Sequence, residues 1–451
     1  MDTYAEQRLV SATKSISGFS PDVVRALVPD AWHIQWFDPV TRHALRGWGA
    51  AAVLRGDPAD RFADIQSQAE SLFGDAVCRG PGRGPRLAGG FSFSSGYLSD
   101  KVWQSFAPGC FVLPHFQHEL AEDREWLTIN VLVDSDVDVQ EAMDHCYEIL
   151  SDLERNGADP PPGDPSHGAG VPTRTTHTVE NPVAKVEWRG MVGEVLDRVG
   201  SGQINKVALA RMRELNFAQP PDTNRAMAHL AHRYSDCYRF LFHQEDNSVF
   251  LGASPELLCA LDGGRLHTMA LAGTAPRCQS AEADRNGHRE LLSSAKNQHE
   301  HRIVVNNLLA RLHEFKAIPD QDLRTEILSL HNVHHLRTPV SATPRAARHI
   351  LQWLEQLHPT AALGGDPTDQ AMVLIDELER QPRGWYAAPF GLFDRFGHGT
   401  FCVGIRSAVI HKARAWLFAG AGIVAGSRPE LEWDETEWKF QPMHQALTAP
   451  S

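Results

Sequence analysis

The chain has 451 residues and 42% are hydrophobic, enough for a large core built either as several ordinary domains or as one large one on extended sheets. Its 43 basic and 56 acidic residues give a formal charge of −13, with no basic block and no basic stripe interleaved with aromatics, which argues against nucleic acid as a partner. An anionic small molecule would need local positive charge from side chains, backbone N–H groups or a divalent cation.

The seven cysteines (Cys78, Cys110, Cys146, Cys237, Cys259, Cys278 and Cys402) are odd in number, scattered and free of C-x-x-C spacing. That pattern argues against both a disulfide framework and a thiolate metal site. No apolar N-terminal run with a basic start and small-residue cleavage site is present, and no segment is long enough to cross a bilayer. The expectation is a soluble, cytoplasmic protein with no membrane partner.

Residues 1–155 read as a sheet-forming half. Leu87–Phe93, Gly109–Phe116 and Glu125–Val133 are short apolar or alternating runs separated by turn residues, and Val139–Arg155 carries apolar positions at helical spacing. Residues 156–176 contain P-P-P-G-D-P-S-H-G-A-G, a composition too poor in apolar surface to order itself, and are expected to form a flexible loop or linker.

From Val183 to Gly200 the apolar spacing predicts a helix stopped by Gly200-Ser201-Gly202. The strand Lys206–Arg211 (K-V-A-L-A-R) follows, with Lys206, Ala208 and Ala210 on one face. Two alanines give the lysine little steric cover, so it can project into a cleft; a lysine at a strand end with its head in water fits the pattern as well.

Val249–Arg277 reads as two apolar runs around Asp262-Gly263-Gly264, a tight hairpin, with Glu256 at the start of one strand and Gly273-Thr274 closing the other. By itself it reads first as a surface hairpin with an exposed Glu. Ala283–Leu312 is expected as one long helix, and Glu300, Val304 and Leu308 at i, i+4, i+8 turn Glu300 inward, where it needs a cation or a proton. An intrahelical pair with Lys296 also satisfies that spacing.

Near the C-terminus, Gly399–Ile410 reads as a strand interrupted by Gly404, followed by the strand Ala415–Ala421 and then A-G-A-G-I-V-A-G-S. Gly420 and Gly422 let the backbone approach carboxylate or phosphate oxygens closely. Arg406, the one cation in an apolar strand, suits bidentate carboxylate binding or a core ion pair. Glu430–Lys439 is an acidic helical run placing Glu432, Glu435 and Lys439 on one face, alone no more than a solvated helix surface.

Taken together, K-V-A-L-A-R, F-L-G-A-S-P-E-L-L, A-L-A-G-T-A-P-R, K-N-Q-H-E-H, L-H-P-T-A-A-L-G-G, R-G-W-Y-A-A-P-F-G, I-R-S-A and A-G-A-G-I-V-A-G-S stand in an order that resembles the chorismate-utilising enzymes, and within them the isochorismate synthases. The resemblance is dense from Val183 to Met443. It implies an α+β fold of two packed halves with antiparallel sheets, flanking helices and an active site in the cleft between them, residues 177–451 being the chorismate-binding region.

By the same resemblance Lys206 matches the general base that activates water, and Glu256 the general acid that protonates the departing hydroxyl. Glu300 and Glu435 match the carboxylates holding one Mg2+, with Glu432 a partner through water. Gly273, Thr274, Tyr386, Arg406, Gly420, Gly422 and Lys439 match the groups around the substrate carboxylates. The chemistry requires a base with a lowered pKa at Lys206 and a raised pKa at Glu256.

Ala272, where aminodeoxychorismate synthases carry a lysine, argues against amination. Lys206 argues against the ammonia-using anthranilate synthases. Salicylate synthases keep the lysine but tend to place a hydroxyl-bearing residue near Ala362, and Ala362-Leu363 is apolar here; salicylate synthase is the alternative. Met269, where many relatives have Glu, is the one departure noted. The resemblance brings in chorismate as substrate, a downstream isochorismate-consuming enzyme as a further partner, and menaquinone or siderophore biosynthesis as the pathway.

Overall fold

Period-two alternation in a few central strands decides the architecture. In Tyr238–His243 and Ser248–Ser254, Phe240, Phe242 and Phe250 join one core, while Leu241, Val249 and Leu251 join another on the opposite face. The computed structural model describes residues 7–28, 32–97, 100–156, 177–278, 280–346 and 348–449. Apart from Asn156, which ends the helix Val139–Asn156, the expected 156–176 loop lies outside the described residues.

Two large sheets carry the chain. Among the described residues the first has 13 strands; twelve run in space from His177–Glu180 through Lys206–Phe217, Arg414–Val424, Ser407–His411, Ser248–Ser254 and Tyr238–His243 to His33–Phe37, and then through the N-terminal strands to Val77–Arg79, while Gly365–Asp366 pairs with Lys206–Phe217 off this path. The second has 10, including Val333–Pro344, Arg265–Pro276, Leu257–Asp262, Gly399–Val403, Pro389–Asp394 and Arg86–Phe91. Pairing is antiparallel except where Gln7–Ile16 meets Val77–Arg79. This is the expected α+β fold with antiparallel sheets and flanking helices. Each sheet joins N-terminal to C-terminal strands: Phe240 pairs with Trp36 in the first and Phe390 with Gly90 in the second.

The largest apolar cluster takes residues from both sheets. Phe240 stacks on Phe390 at 4.7 Å between ring centroids, and Phe250, Trp385 and Phe91 belong to the same cluster. Helices cover the outer face of the first sheet. Lys185–Gly200 packs Trp188, Val192 and Val195 on Val207, Leu209, Ala421 and Ile423, and Pro429–Thr448 packs Phe440 and Met443 with Leu417 and Ala419. None of the helices among the described residues is long and apolar enough to cross a membrane.

Two expected elements divide. The run Ala283–Leu312 is two helices, Ala281–Ser293 and Ala295–Glu314, because Ser294 takes an extended backbone (ψ 112°) and its hydroxyl accepts from the Asn297 N–H, capping the second helix instead of continuing the first. Gly399–Ile410 is also two elements: Gly399–Val403 belongs to the second sheet and Ser407–His411 to the first.

The hairpin holds, with Asp262 opposite Arg265 and both Gly263 and Gly264 at positive φ, the two-residue loop that matches strand twist. Its first run nevertheless crosses from one sheet to the other at Pro255-Glu256. The two crossings are neighbours, since Gly252 pairs with Ser407 and Leu257 with Cys402. Glu256 and Arg406 therefore both lie at the seam between the sheets.

Candidate active site

The faces that alternation leaves unpacked meet at this seam. Where Val207 and Leu209 go into the helix-covered core, Ala208 and Ala210 face the other way with Lys206, opposite Gly422 and Gly420 of the neighbouring strand. They border a cavity of about 70 Å³ that opens to solvent. Lys206, Glu256, Gly273, Thr274, Glu300, Tyr386, Arg406, Gly420, Gly422, Glu435 and Lys439 all line it. Of the residues expected at the site only Glu432 does not; it stands behind, with its carboxylate 3.0 Å from Lys296 Nζ.

Lys206 is 1% exposed, so the cleft reading of its strand holds over the solvated one. Its Nζ lies 3.0 Å from Glu300 Oε1, and Lys296 Nζ reaches Glu300 Oε2 at 3.3 Å. Glu300 thus has both the intrahelical pair that its spacing allowed and a second cation from a strand. Burial would raise its pKa, but the two ammonium groups outweigh that and hold it at about 2.

Glu256 is 3% exposed, and burial pushes its carboxyl up to about 7 against the opposing pull of Lys206, Arg406 and Lys439. Near neutral pH this carboxyl can keep and deliver a proton. Glu432 is also raised to about 7, by burial and then by repulsion from Glu435, with Lys296 opposing.

Arg406 sits at positive φ and is 5% exposed. Among the described residues it has no carboxylate ion pair; its Nη2 donates instead to His335 Nε2 at 3.0 Å. Burial lowers its pKa, and burial with the neighbouring Arg406 and Lys439 charges holds the His335 imidazole neutral. A buried guanidinium answered only by a neutral ring leaves positive charge facing the cavity, which a ligand carboxylate would satisfy.

His335 was not singled out in the sequence, where H-H within an alternating strand carries no spacing signal. It organises the opposite wall: with Nε2 accepting from Arg406, Nδ1 carries the proton, 3.2 Å from both the Gly273 carbonyl and Thr274 Oγ1. That hydroxyl donates in turn to Glu435 Oε1 at 3.2 Å. Gly273 has positive φ within a bulge between Ala272 and Thr274, which turns the loop toward the cavity.

Arg383 is the second unexpected member. It donates to the carbonyls of Ala208 at 2.6 Å and Leu363 at 2.8 Å and pairs with both oxygens of Glu379, whose Oε1 also accepts the Ala210 N–H. It fixes the Lys206 strand against the apolar Ala362-Leu363 turn. Tyr386 stacks on Phe418 at 5.2 Å and is pushed up to about 12 by burial, so it remains a neutral hydroxyl.

The glycines have a role that the sequence did not show. A Cβ on Gly422 would stand 2.1 Å from Glu300 Oε1 and 2.8 Å from Lys206 Cε, and one on Gly420 would stand 3.1 Å from the Tyr386 hydroxyl. At Gly422 the missing side chain makes room for the reactive pair itself, while at Gly420 a Cβ would also press on the Leu209 carbonyl at 2.8 Å. Lys439 Nζ donates to the Gly420 carbonyl at 2.8 Å and to Glu435 at 2.5 Å, so this helix face is a site wall and not a solvated surface.

Comparison with known proteins agrees with this geometry. The profile of the family described as "Chorismate binding enzyme" matches residues 1–448, and the chain belongs to that family. It is 35% identical over 409 residues to the salicylate biosynthesis isochorismate synthase of Pseudomonas aeruginosa, covering 90% of this chain and 83% of that one. It is 32% identical over 430 residues to the isochorismate synthase MenF of Bacillus subtilis, covering 91% and 87%. Among solved structures it resembles the menaquinone-specific isochorismate synthase MenF of Escherichia coli, with a TM-score of 0.76 at 25% identity over 98% of this chain and 94% of the other. Anthranilate synthase component I of Streptococcus pneumoniae shares the fold, with a TM-score of 0.69 at 18% identity over 95% and 98%.

Proposed function

We propose that the chain is an isochorismate synthase, which adds a hydroxyl to C2 of chorismate while removing the one at C4. The observation that carries this reading is that Lys206 and Glu256, a buried amine and a carboxyl raised to about 7, line the same cavity from separate strands. Lys206 takes a proton from the water that attacks C2, and Glu256 gives one to the C4 hydroxyl, which leaves as water. Protons and water balance over the cycle, so the conversion is reversible and redox-neutral. Arg406, Lys439, Thr274, Tyr386 and the Gly273, Gly420 and Gly422 backbone hold the substrate's two carboxylates.

Glu300 and Glu435 would hold one Mg2+, with Glu432 acting through water. The fit rests on the donor set, carboxylate oxygens only, and on the raised Glu432 carboxyl, held up first by burial and then by repulsion from Glu435 and Glu300 that a divalent charge would relieve. When bound, the ion supplies positive charge to the ring carboxylate of the substrate. Glu300 pairs with Lys206 as an ammonium, so the amine must leave that partner and lose a proton before it can act as base.

The cavity wall offers no other chemistry at the deciding places. Ala272 presents no amine, which argues against amination, and Ala362-Leu363 presents no hydroxyl, which supports release of isochorismate over onward elimination to salicylate and pyruvate. We assign residues 1–155 a scaffold role and residues 177–451 the catalytic region, in a cytoplasmic enzyme whose product passes to a downstream isochorismate-consuming enzyme. Chromatography of the products from chorismate and Mg2+ tests the reading. Isochorismate is expected; salicylate and pyruvate without an added lyase would overturn it.

A further inference from the structure

On the far side of the strand that carries His335, three residues that the reaction does not use come together. Asp284 and His288 stand one helical turn apart on Ala281–Ser293, and His334, fully buried, lies on Val333–Pro344. One ligand atom from each of the three lies within 4.8 Å of the others, and this is the one such group of three or more among the described residues. His288 Nε2 is 3.1 Å from His334 Nδ1, with the two rings nearly perpendicular at 86°. Ser329 Oγ lies 3.4 Å from the first nitrogen and 3.0 Å from the second.

Those three atoms form a triangle with edges close to the separation of about 3.3 Å between ligands of a tetrahedral ion with bonds of about 2.0–2.1 Å. Behind it, His334 Nε2 is 2.9 Å from Asp284 Oδ1, and Asp284 is held by the Cys278 N–H at 3.1 Å and by Arg277 at 3.4 Å. A carboxylate on one ring nitrogen fixes the tautomer, so the other presents its lone pair to the triangle, the arrangement that second-shell carboxylates give to metal-binding histidines.

We propose that His288 Nε2 and His334 Nδ1 bind one divalent transition ion of the zinc class, with Asp284 orienting His334 and Ser329 and water completing the shell. The ion takes the place of the proton that the two rings otherwise share. Imidazole donors select Zn2+, Ni2+ or Cu2+ over Mg2+, so this site is chemically separate from the all-carboxylate one. Half-buried His288 leaves a way in. A bound ion staples the helix and the Glu326–Ser329 strand to Val333–Pro344, on the opposite face from the His335 contacts with Gly273 and Arg406.

The test is calorimetric titration of Zn2+ into the chelator-stripped full chain with Mg2+ in excess. One equivalent is expected in the wild-type chain and in Glu435→Gln, with affinity reduced at least 10-fold in His288→Ala and about 10- to 100-fold in Asp284→Asn. A thermal midpoint of metal-free His288→Ala equal to that of wild type shows that the variant folds, and Zn2+ is expected to raise the midpoints of wild type and Glu435→Gln but not that of His288→Ala. Absence of Zn2+ binding in the wild type, equal binding in His288→Ala, or loss of binding in Cys278→Ser, whose exposed thiol adjoins the cluster, would overturn the assignment.

Discussion

Lys206 and Glu300 form an ion pair of 3.0 Å between an amine 1% exposed and a carboxylate 5% exposed, with Gly422 packed against both. A buried pair of this kind adds little net stability because desolvation consumes much of the attraction, so its value lies in placing the two groups. The consequences for activity can be measured.

Removing either proton carrier stops the chemistry without emptying the cavity. Lys206→Ala and Glu256→Gln are each expected to lower kcat by about 10²- to 10⁴-fold, the usual worth of positioned acid–base catalysis. Chorismate binding, followed by calorimetry, should change far less. Turnover close to wild type in both variants would reject the assigned roles.

The raised Glu256 pKa sets a pH limit. Its acid form is required and is lost as pH rises through about 7, so kcat/KM should fall on the alkaline side with a midpoint near that value. Glu432 titrates in the same range but lies outside the cavity, so Glu432→Gln should retain the alkaline limb. If Glu432→Gln abolished the limb, the titrating group would not be Glu256.

Gly422→Ala separates activity from folding. The added methyl meets Glu300 Oε1 at 2.1 Å and Lys206 at 2.8 Å, both side-chain atoms that can swing aside. An expected loss of 10²-fold or more in kcat should accompany a shift of only a few degrees in Tm. Activity within threefold of wild type would show that the closeness of this strand to the pair is incidental.

Arg406 should govern substrate affinity. Because its guanidinium faces the cavity without a carboxylate partner, Arg406→Gln is expected to raise KM by about 10- to 150-fold, the worth of a charge-assisted pair. Arg406→Lys should recover little, since a point charge does not reproduce the planar fork. Steady-state kinetics with chorismate decide this.

Metal removal completes the set. Excess chelator is expected to abolish turnover and Mg2+ to restore it, with Glu435→Gln needing at least 10-fold more Mg2+ for half-maximal rate. Full activity in the stripped protein would exclude Mg2+ from the reaction.

Local pattern showed much of this. Lys206-Ala208-Ala210 on one face, the Asp262-Gly263-Gly264 turn and the Glu300-Val304-Leu308 stripe each follow from a fixed side-chain period, and the structure keeps all three. The pattern was silent at His335 and Arg383, because their partners, Arg406 and the Ala208 and Leu363 carbonyls, lie 71, 175 and 20 residues away. It misjudged Ala283–Leu312 because one serine with a capping hydroxyl ends a run whose apolar spacing continues beyond it.

The sequence by itself determined which residue types stand on which face of each element, since helical and strand periods are properties of the backbone alone. Only the tertiary structure decided that Pro255-Glu256 and Gly404-Arg406 are crossings between two sheets and that the amine, the carboxyls and the guanidinium share one cavity. Those juxtapositions arise from pairing between residues 145 and 155 apart, Leu257 with Cys402 and Gly252 with Ser407, and from burial of charge among opposing charges, and neither is encoded in the spacing of neighbours along the chain.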